Sequence, residues 1–593
     1  MEDVDLEPSV PSTKPQPMPQ PAEQEASGMP PKPKRQLVLL PSVFEGRPPV
    51  LLFTYTVACG AKQRPLERSV LADIDGPRMF YSHTDAVHEY NATINILRQG
   101  GLYRVRADSL RWSLLWSNHP PPEVMRALRP MQRTNHYPGS FHLGRKDLIW
   151  RNIARMQRRF GGDLHITPQC FILPKATLAW DAARLRAPSA LWIWKPCSAS
   201  CGRGIRVLSS NISQEESKEL SRKRGIVQRY IANPLLIDGY KFDLRVYVVV
   251  LSYDPLKVYI NDEGLVRIAT EKYSASADTL EMRTMHLTNY SVNKSSPAFV
   301  QNKDGKERGT AEEDPAAHEE VGAFKWSLSE LRDHFNERGL NYDETFEGIK
   351  DVVIKTLLSV AGSMQQEWSK SLGAEDEGWS ARGAGGAHNA SCFEIYGFDV
   401  MIDDTMKSWL LEVNICPSLS SGSPLDKRIK TKLVADTFTL VGVRPPASVW
   451  RPRIPASPAR TKRALPGAGA ELEERESCAD GGGCPLTAKG VMAKRAAKLA
   501  APESPVEAIA LFEEAEWELV LEAHDEDMRS GGLRRCFPSA DCSKYTQFLG
   551  EESYANVVLR RWYQAGGADL FRHPDLARVI PPWVPRVVCS SRT

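Results

Sequence analysis

The chain has no apolar run near the roughly 20 residues that a membrane-spanning helix needs. Its longest, Val246 to Leu251, has the length of a buried strand. The first 35 residues begin acidic, turn Pro-rich and contain no apolar h-region, so they are not expected to act as a secretory signal. There is no CxxC pair. The 11 cysteines are scattered along 593 residues, which excludes a dense disulfide framework and fits a reducing compartment. Cys197 and Cys201 are near neighbours, as are Cys536 and Cys542. No second pair or histidine set at zinc spacing accompanies them, so they are expected as free thiols. The formal net charge of +3 is too small to name a partner. With 42% apolar and 25% charged residues the composition is that of an ordinary soluble protein, long enough for two to four domains.

Five segments are expected. Residues 1–36 are a Pro-rich, disordered leader, and 37–188 form an N-terminal subdomain. Residues 189–443 alternate strands and helices and form the central and C-terminal catalytic region. Two polar stretches, Gln301 to Ala317 and Gly373 to Ser391, interrupt that region as loops. Residues 444–504 are a basic, low-complexity linker, and 505–593 a small helical module with helices at Pro505 to Met528 and Tyr554 to Gln564. Arg145 to Phe160 predicts an amphipathic helix with a stripe of Leu148, Ile149, Ile153 and Met156. Its other face carries Arg151, Arg155, Arg158 and Arg159. That face and the acid-free run from Arg444 to Arg463 are candidate footprints for something anionic.

The strongest chemical signal is Phe393 to Pro417, two apolar strands around the polar turn Asp403 to Lys407. Pairing them with Asp403 opposite Ser408 puts Asp399 opposite Glu412. Side chains alternate faces along a strand, so Asp399, Glu412 and Asn414 share one side, and Phe398, Val400, Val413 and Ile415 take the other. Two carboxylates and a carboxamide on an otherwise apolar strand pair suit Mg²⁺.

In Lys241 to Val248 the same alternation puts Lys241, Asp243, Arg245 and Tyr247 opposite a wholly apolar face, as in the wall of a charged site. Lys and Arg there can hold phosphate oxygens. Trp192 to Val207 is a strand, a small-residue loop with Gly202 and Gly204, and a second strand. Such a loop lets backbone N–H groups approach phosphates, although it is not a Walker A motif. Gln228 to Ile231 ends a short apolar strand and offers an edge for adenine. His286 to Lys294 is a compact polar cluster, which equally suits a helix cap or turn.

In this order, the motifs Lys195-Pro196, Gly202 to Ile205, Gln228 to Ile231, Lys241 to Arg245, Gly264 to Tyr273, His286 to Lys294, Tyr396 to Asp403 and Leu411 to Leu419 resemble the tubulin tyrosine ligase-like family. The match is closest to its polyglutamylase branch. Asn135 to Gly161 is similar to the subgroup that initiates side chains, and Arg535 to Gln564 weakly resembles that family's helical C-terminal region.

The resemblance implies an α/β (α+β) chain with an ATP-grasp fold. It also implies an ATP- and Mg²⁺-dependent carboxylate–amine ligase that adds free L-glutamate to glutamate side chains of acidic tubulin tails through an acyl-phosphate. Arg245, Lys241 and Glu412 would carry catalysis. Lys195, Cys201, Gly202, Gln228, Arg229, Tyr230, Ile231, Lys241, Asp243, Thr288 and Asn289 would hold the nucleotide, and Asp399, Glu412 and Asn414 the metal. Arg267, following a turn at Asn261 to Gly264, would pair with a carboxylate of the incoming glutamate beside Tyr290, Ser291, Lys325 and Lys430. Cys201 departs from the family pattern, where Arg or Gln is frequent. The family further implies microtubules as partner and a monomer in the cytoplasm and cytoskeleton, with the cilium or basal body as a place within it. Neither nucleic acid nor membrane is expected as a partner.

Competing readings are a glycine- or tyrosine-adding relative and a non-catalytic microtubule-binding protein of the same fold. A protein kinase fits poorly: there is no HRD loop, and Gly397-Phe398-Asp399 runs in the wrong order.

Overall fold

A computed structural model describes residues 35–588 except 56–67, 75–79, 84–89, 107, 198, 200, 301–323, 373–390, 447–487, 551 and 573–575. The expected leader up to residue 34, nearly all of both polar loops and most of the Arg444–Arg463 run lie outside the described residues; the last two leader residues, Arg35 and Gln36, instead open a strand.

Two antiparallel sheets position the site. The smaller has the strand order β3-β2-β4-β1, from β1 (Cys170–Leu173), β2 (Leu191–Pro196), β3 (Arg206–Ser209) and β4 (Gly225–Arg229). Trp180, Trp192, Trp194, Leu208 and Leu220 fill one side of it beneath helices Thr177–Arg186 and Gln214–Arg222. Its other side turns Ile193, Lys195 and Gln228 to the cleft. β4 lies between β2 and β1, so the adenine edge expected at Gln228 is an interior strand. Tyr230 still donates its N–H to the Leu191 carbonyl of β2 at 2.9 Å, so the chain leaves the sheet only from Ile231.

The larger sheet runs β7-β6-β5-β8-β9, from β5 (Tyr240–Tyr253), β6 (Leu256–Lys272), β7 (Lys325–Ser327), β8 (Glu394–Ile402) and β9 (Ser408–Asn414). β5 is a central strand because both its faces are apolar over its second half. Phe242, Leu244, Val246, Val248 and Val250 enter one core, against helix Tyr342–Leu372. Tyr247, Val249 and Leu251 enter the other, against helix Pro424–Val441. Toward the start of β5, Lys241, Asp243 and Arg245 replace the second apolar face, and there the cleft opens.

The β8–β9 hairpin forms because Asp403 builds its turn. Its Oδ1 accepts from the N–H groups of Thr405 and Lys407, both at 3.0 Å, and its Oδ2 from Trp409 Nε1 at 2.7 Å. Ser408 pairs with Ile402, not with Asp403 as expected. A bulge between Asp399 and Val400 adds one residue, Leu411, to β9, so Asp399 still meets Glu412. The turn expected at Asn261 to Gly264 is likewise a register shift inside the continuous β6, and Arg267 sits within that strand, directly opposite Asp243.

In the N-terminal region, a short antiparallel sheet (Arg35–Leu40, Val50–Leu51, Val70–Ile74) adjoins a parallel one (Phe80–His83, Tyr103–Val105, Leu114–Trp116, Arg133–Thr134). Helix α1 (Lys146–Phe160) buries Ile149, Asn152 and Ile153, and its four arginines are exposed. Leu148 stays at the margin, because Asn152 takes part of the inward stripe.

The segment expected as a linker contains helix Ala488–Ala500, and the expected helix over 505–528 breaks at Leu511 to Glu513 into Pro505–Ala510 and Glu514–Met528. These pack with Tyr554–Gln564 around Trp517 and Trp562, joined by Val43 and Phe44 from near the N-terminus. The module is not purely helical: β10 (Leu533–Phe537) pairs with β6. No helix of the described residues is long and apolar enough to cross a membrane.

Candidate active site

A cleft of about 720 Å³ lies between the two sheets. Lys195, Cys201, Gly202, Gln228, Arg229, Tyr230, Ile231, Lys241, Asp243, Thr288, Asn289, Asp399 and Glu412 all line it. Ile193, Leu287, Met401 and Leu411 supply apolar wall, so one part suits a flat apolar group and another suits charge.

Lys195 and Lys241 are buried, and neither forms a salt bridge among the described residues; both donate to neutral acceptors. Lys195 Nζ donates to Gln228 Oε1 at 2.9 Å, and Gln228 Nε2 donates to Thr167 Oγ1 at 2.8 Å. Lys241 Nζ donates to the Tyr230 hydroxyl at 2.6 Å and to the His286 carbonyl at 3.1 Å. Tyr230 then donates to His286 Nδ1 at 2.9 Å, and His286 Nε2–H donates to the Thr279 carbonyl at 3.0 Å, the arrangement of a neutral imidazole. Burial, reinforced by Lys241, lowers the His286 pKa in agreement. Burial also lowers Lys195, and it pulls Lys241 down to about 7 against the attraction of Asp243. Two desolvated ammonium groups without a salt-bridge partner among the described residues make a site that an anion stabilises.

The carboxylates are arranged differently. Arg245 grips Asp399 with Nε at 2.5 Å and Nη2 at 3.1 Å. Arg267 grips Asp243 with Nε at 2.6 Å and Nη2 at 2.5 Å, and that Nη2 also reaches Asp399 at 2.9 Å. The network follows from register, since Asp243 faces Arg267 and Arg245 faces Asp399 across neighbouring strands. Burial would raise the Asp399 pKa, but Arg245 and Arg267 outweigh it and hold the carboxyl well below the usual range. Glu412 pairs with Lys146 at 2.9 Å. Asn414 donates from Nδ2 to the Gly397 carbonyl at 3.3 Å and is not part of the cleft lining. The three expected metal ligands therefore do not converge equally: Asp399 and Glu412 face the cleft and Asn414 stands behind them.

The loop after β2 is held open by φ values of +61° at Cys201, +71° at Gly202 and +70° at Gly204. A Cβ on Gly202 would come 2.9 Å from Asn289 Oδ1, so only glycine fits that approach. Ser291 Oγ donates to the Cys201 carbonyl at 2.9 Å, which ties Ser291 to this loop and not to the other expected substrate contacts. Those contacts do gather. Lys325 lies opposite Arg267 in the sheet, its Nζ 4.8 Å from the Tyr290 ring centre, and Asp426 accepts from both Lys325 and Lys430 at 2.8 Å.

Three participants escaped the sequence reading. Lys146 carries no signal beyond its place at the start of α1. Asp426 carries only a capping signal, Ser423-x-x-Asp426, in which Ser423 is the cap and its Oγ accepts from the Asp426 N–H at 3.1 Å. Arg283, whose Nη2 donates to the Gly202 carbonyl at 2.6 Å, carries no signal in its motif.

Fold and cleft define the class: a mixed α/β protein with a charge-lined cleft between two antiparallel sheets. The chain belongs to the tubulin-tyrosine ligase family, whose model matches residues 125–449. It is similar to the tubulin monoglutamylase TTLL4 of Homo sapiens, with 35% identity over 478 residues that cover 79% of this chain and 36% of that protein. It is also similar to the human tubulin polyglutamylase TTLL5, at 35% over 78% of this chain and 34% of that protein. The tubulin polyglutamylase ttll-4 of Caenorhabditis elegans is 33% identical over 79% of this chain and 69% of that protein. The chain thus spans about a third of the length of the two human relatives.

Proposed function

We propose that this chain is an ATP- and magnesium-dependent ligase of ATP-grasp architecture that joins free L-glutamate to glutamate side chains of acidic tubulin tails. The observation that carries this reading is the pair of buried, salt-bridge-free ammonium groups, Lys195 and Lys241, facing Asp399 and Glu412 across one cleft. The relatives named above, described as tubulin glutamylases, support the choice of amino acid and acceptor. The smaller sheet, the larger sheet and the region before them correspond to the central, C-terminal and N-terminal subdomains of such a fold. Residues 488–588 add a small module. We expect the protein to work as a monomer on microtubules in the cytoskeleton, cilia included.

The residues fit both groups that the family implies. Lys195, Lys241 and the Gly202 loop would hold the phosphates of ATP, with Tyr230 and Ile231 beside the base. Asp399 and Glu412 would hold magnesium, with Asn414 behind. Bound ATP would supply the phosphoryl group that activates the acceptor carboxylate, and magnesium would neutralise charge on the phosphates. Lys146 would then release Glu412. Arg245 Nη1 has no acceptor among the described residues, and it is placed to steady the negative charge that builds on the transferring group. Arg267 Nη1 is likewise without a described acceptor. It would bind the carboxylate of incoming glutamate, with Lys325 and Lys430 held ready by Asp426. Asp243 fixes the orientation of Arg267.

An amino-acid competition assay tests the substrate. Labelled glutamate should enter microtubules from a mixture with glycine and tyrosine, and Arg267→Ala should lose it. Glycine or tyrosine incorporation would overturn the assignment of Arg267. The exposed arginines of α1 are expected to meet the acidic tail. Tail binding should therefore weaken across a rising salt series, as screening shortens the reach of surface charge. Binding unchanged by salt would remove α1 from the acceptor site.

A further inference from the structure

Lys241 stands near the start of β5 in the larger sheet, and Tyr230 follows β4 in the smaller one. The 2.6 Å hydrogen bond from Lys241 Nζ to the Tyr230 hydroxyl therefore joins the two walls of the cleft. His286 ends a short helix, Arg283–His286, and meets both partners. Its carbonyl accepts from Lys241 at 3.1 Å, and its Nδ1 lies 2.9 Å from the Tyr230 hydroxyl. All three side chains are buried.

Proton counting fixes the direction of each bond. An ammonium group only donates, so Tyr230 must accept from Lys241. The single phenolic proton is then left for His286 Nδ1. That nitrogen accepts when the imidazole carries its proton on Nε2, and Nε2 lies 3.0 Å from the Thr279 carbonyl, which can only accept. With the imidazole neutral, the chain runs one way, from Lys241 through Tyr230 and His286 to Thr279, and successive bonds of such a chain polarise one another. Two of the three ammonium protons are thereby assigned, to Tyr230 and to the His286 carbonyl. The third has no acceptor among the described residues and is available to a ligand in the cleft, whose wall Lys241 helps to form. The ring centres of Tyr230 and Tyr273, 4.2 Å and 5.6 Å from Nζ, flank the ammonium.

We propose that His286 is a positioning residue for the nucleotide: by accepting from Tyr230 it turns that hydroxyl's lone pairs toward Lys241 and so presents the ammonium to the phosphates of ATP. This rests on the reading of the cleft as an ATP site. Without the acceptor, the Tyr230 hydroxyl turns freely. The ammonium then loses a fixed partner in a place where burial already favours its uncharged form. ATP would meet a group that is neither aimed nor fully charged, and affinity falls because the site is no longer preorganised.

The test is calorimetric titration of the full chain with Mg·ATP at neutral pH, together with initial rates of ligation. His286→Asn keeps an acceptor near the Nδ1 position and gives up the bond to Thr279. His286→Gln does the reverse, and His286→Leu keeps neither. His286→Leu and His286→Gln should weaken ATP binding about 10-fold, the factor that one lost hydrogen bond makes in a binding constant. The KM for ATP should rise with it, while kcat at saturating ATP and the KM for glutamate stay as in wild type. His286→Asn should restore the affinity. His286→Leu should also add nothing to Tyr230→Phe, which removes the hydroxyl and keeps the ring, because both cut the same chain. His286→Asn as weak as His286→Leu, additive losses in the double variant, or unchanged ATP affinity in His286→Leu would each overturn the proposal. A wild type that binds no ATP would overturn the reading of the cleft beneath it.

Discussion

Lys241→Met is expected to abolish ligation and yet leave the ligand-free protein more stable than wild type below about pH 7. The Lys241 ammonium is buried against neutral partners, which is why its pKa falls to about 7. The unfolded lysine keeps its proton to about pH 10.4, and the folded one releases it near 7. Between those values the unfolded state binds more protons, so stability rises with pH across that window. Below it both states are charged and the full cost of burial is paid. Methionine fills similar space without the charge. Its stabilising effect in thermal unfolding should therefore be largest below about pH 7 and shrink toward pH 9. Phosphate would return a counter-charge to wild type, so nucleotide binding measured by calorimetry should be lost only in the variant. A variant that unfolds below wild type at every pH, or that still binds nucleotide, would contradict this role.

Asp399→Ala is expected to destabilise the protein by about 3–5 kcal/mol, the range for stranding a buried charge by removing its partner. Two guanidinium groups depend on this carboxylate, Arg245 through two hydrogen bonds and Arg267 through one. Asp399→Asn keeps the shape and part of the hydrogen bonding, so it should lose less stability while losing ligation all the same. The stabilisation from Asp399 is present above the ordinary carboxylate pKa of about 3.9 and is lost only as pH falls toward the depressed folded value. Urea unfolding of the three proteins at neutral pH measures the order. A fully stable Asp399→Ala would show that Arg245 and Arg267 find other partners.

The lining of the cleft was legible because strand alternation is a strict rule. Lys241, Asp243 and Arg245 face one way whatever packs around them, and Asp399 meets Glu412 although the turn was set one residue off. The bulge at Leu411 compensated, and nothing in the residues announces a bulge. Ion-pair partners were not legible. Arg267 looked free to meet a substrate, but its contacts with Asp243 and Asp399 come from a neighbouring strand and from the strand beyond it. Lys146 enters the cleft because α1 starts beside it, which helical periodicity does not encode. The C-terminal module misled for a related reason. Leu533–Phe537 is a strand because β6 offers it an edge, and Ala488–Ala500 is a helix packed against Tyr554–Gln564 at the end of a compositionally plain segment.

The most direct test of the central claim is incorporation of labelled glutamate into purified microtubules with Mg·ATP by wild type and by Glu412→Gln. Label that enters with wild type and vanishes with the variant, with microtubule binding unchanged, is the expected result. Label in neither, with microtubules still bound, would contradict the ligase assignment and leave a binding protein that has kept the fold.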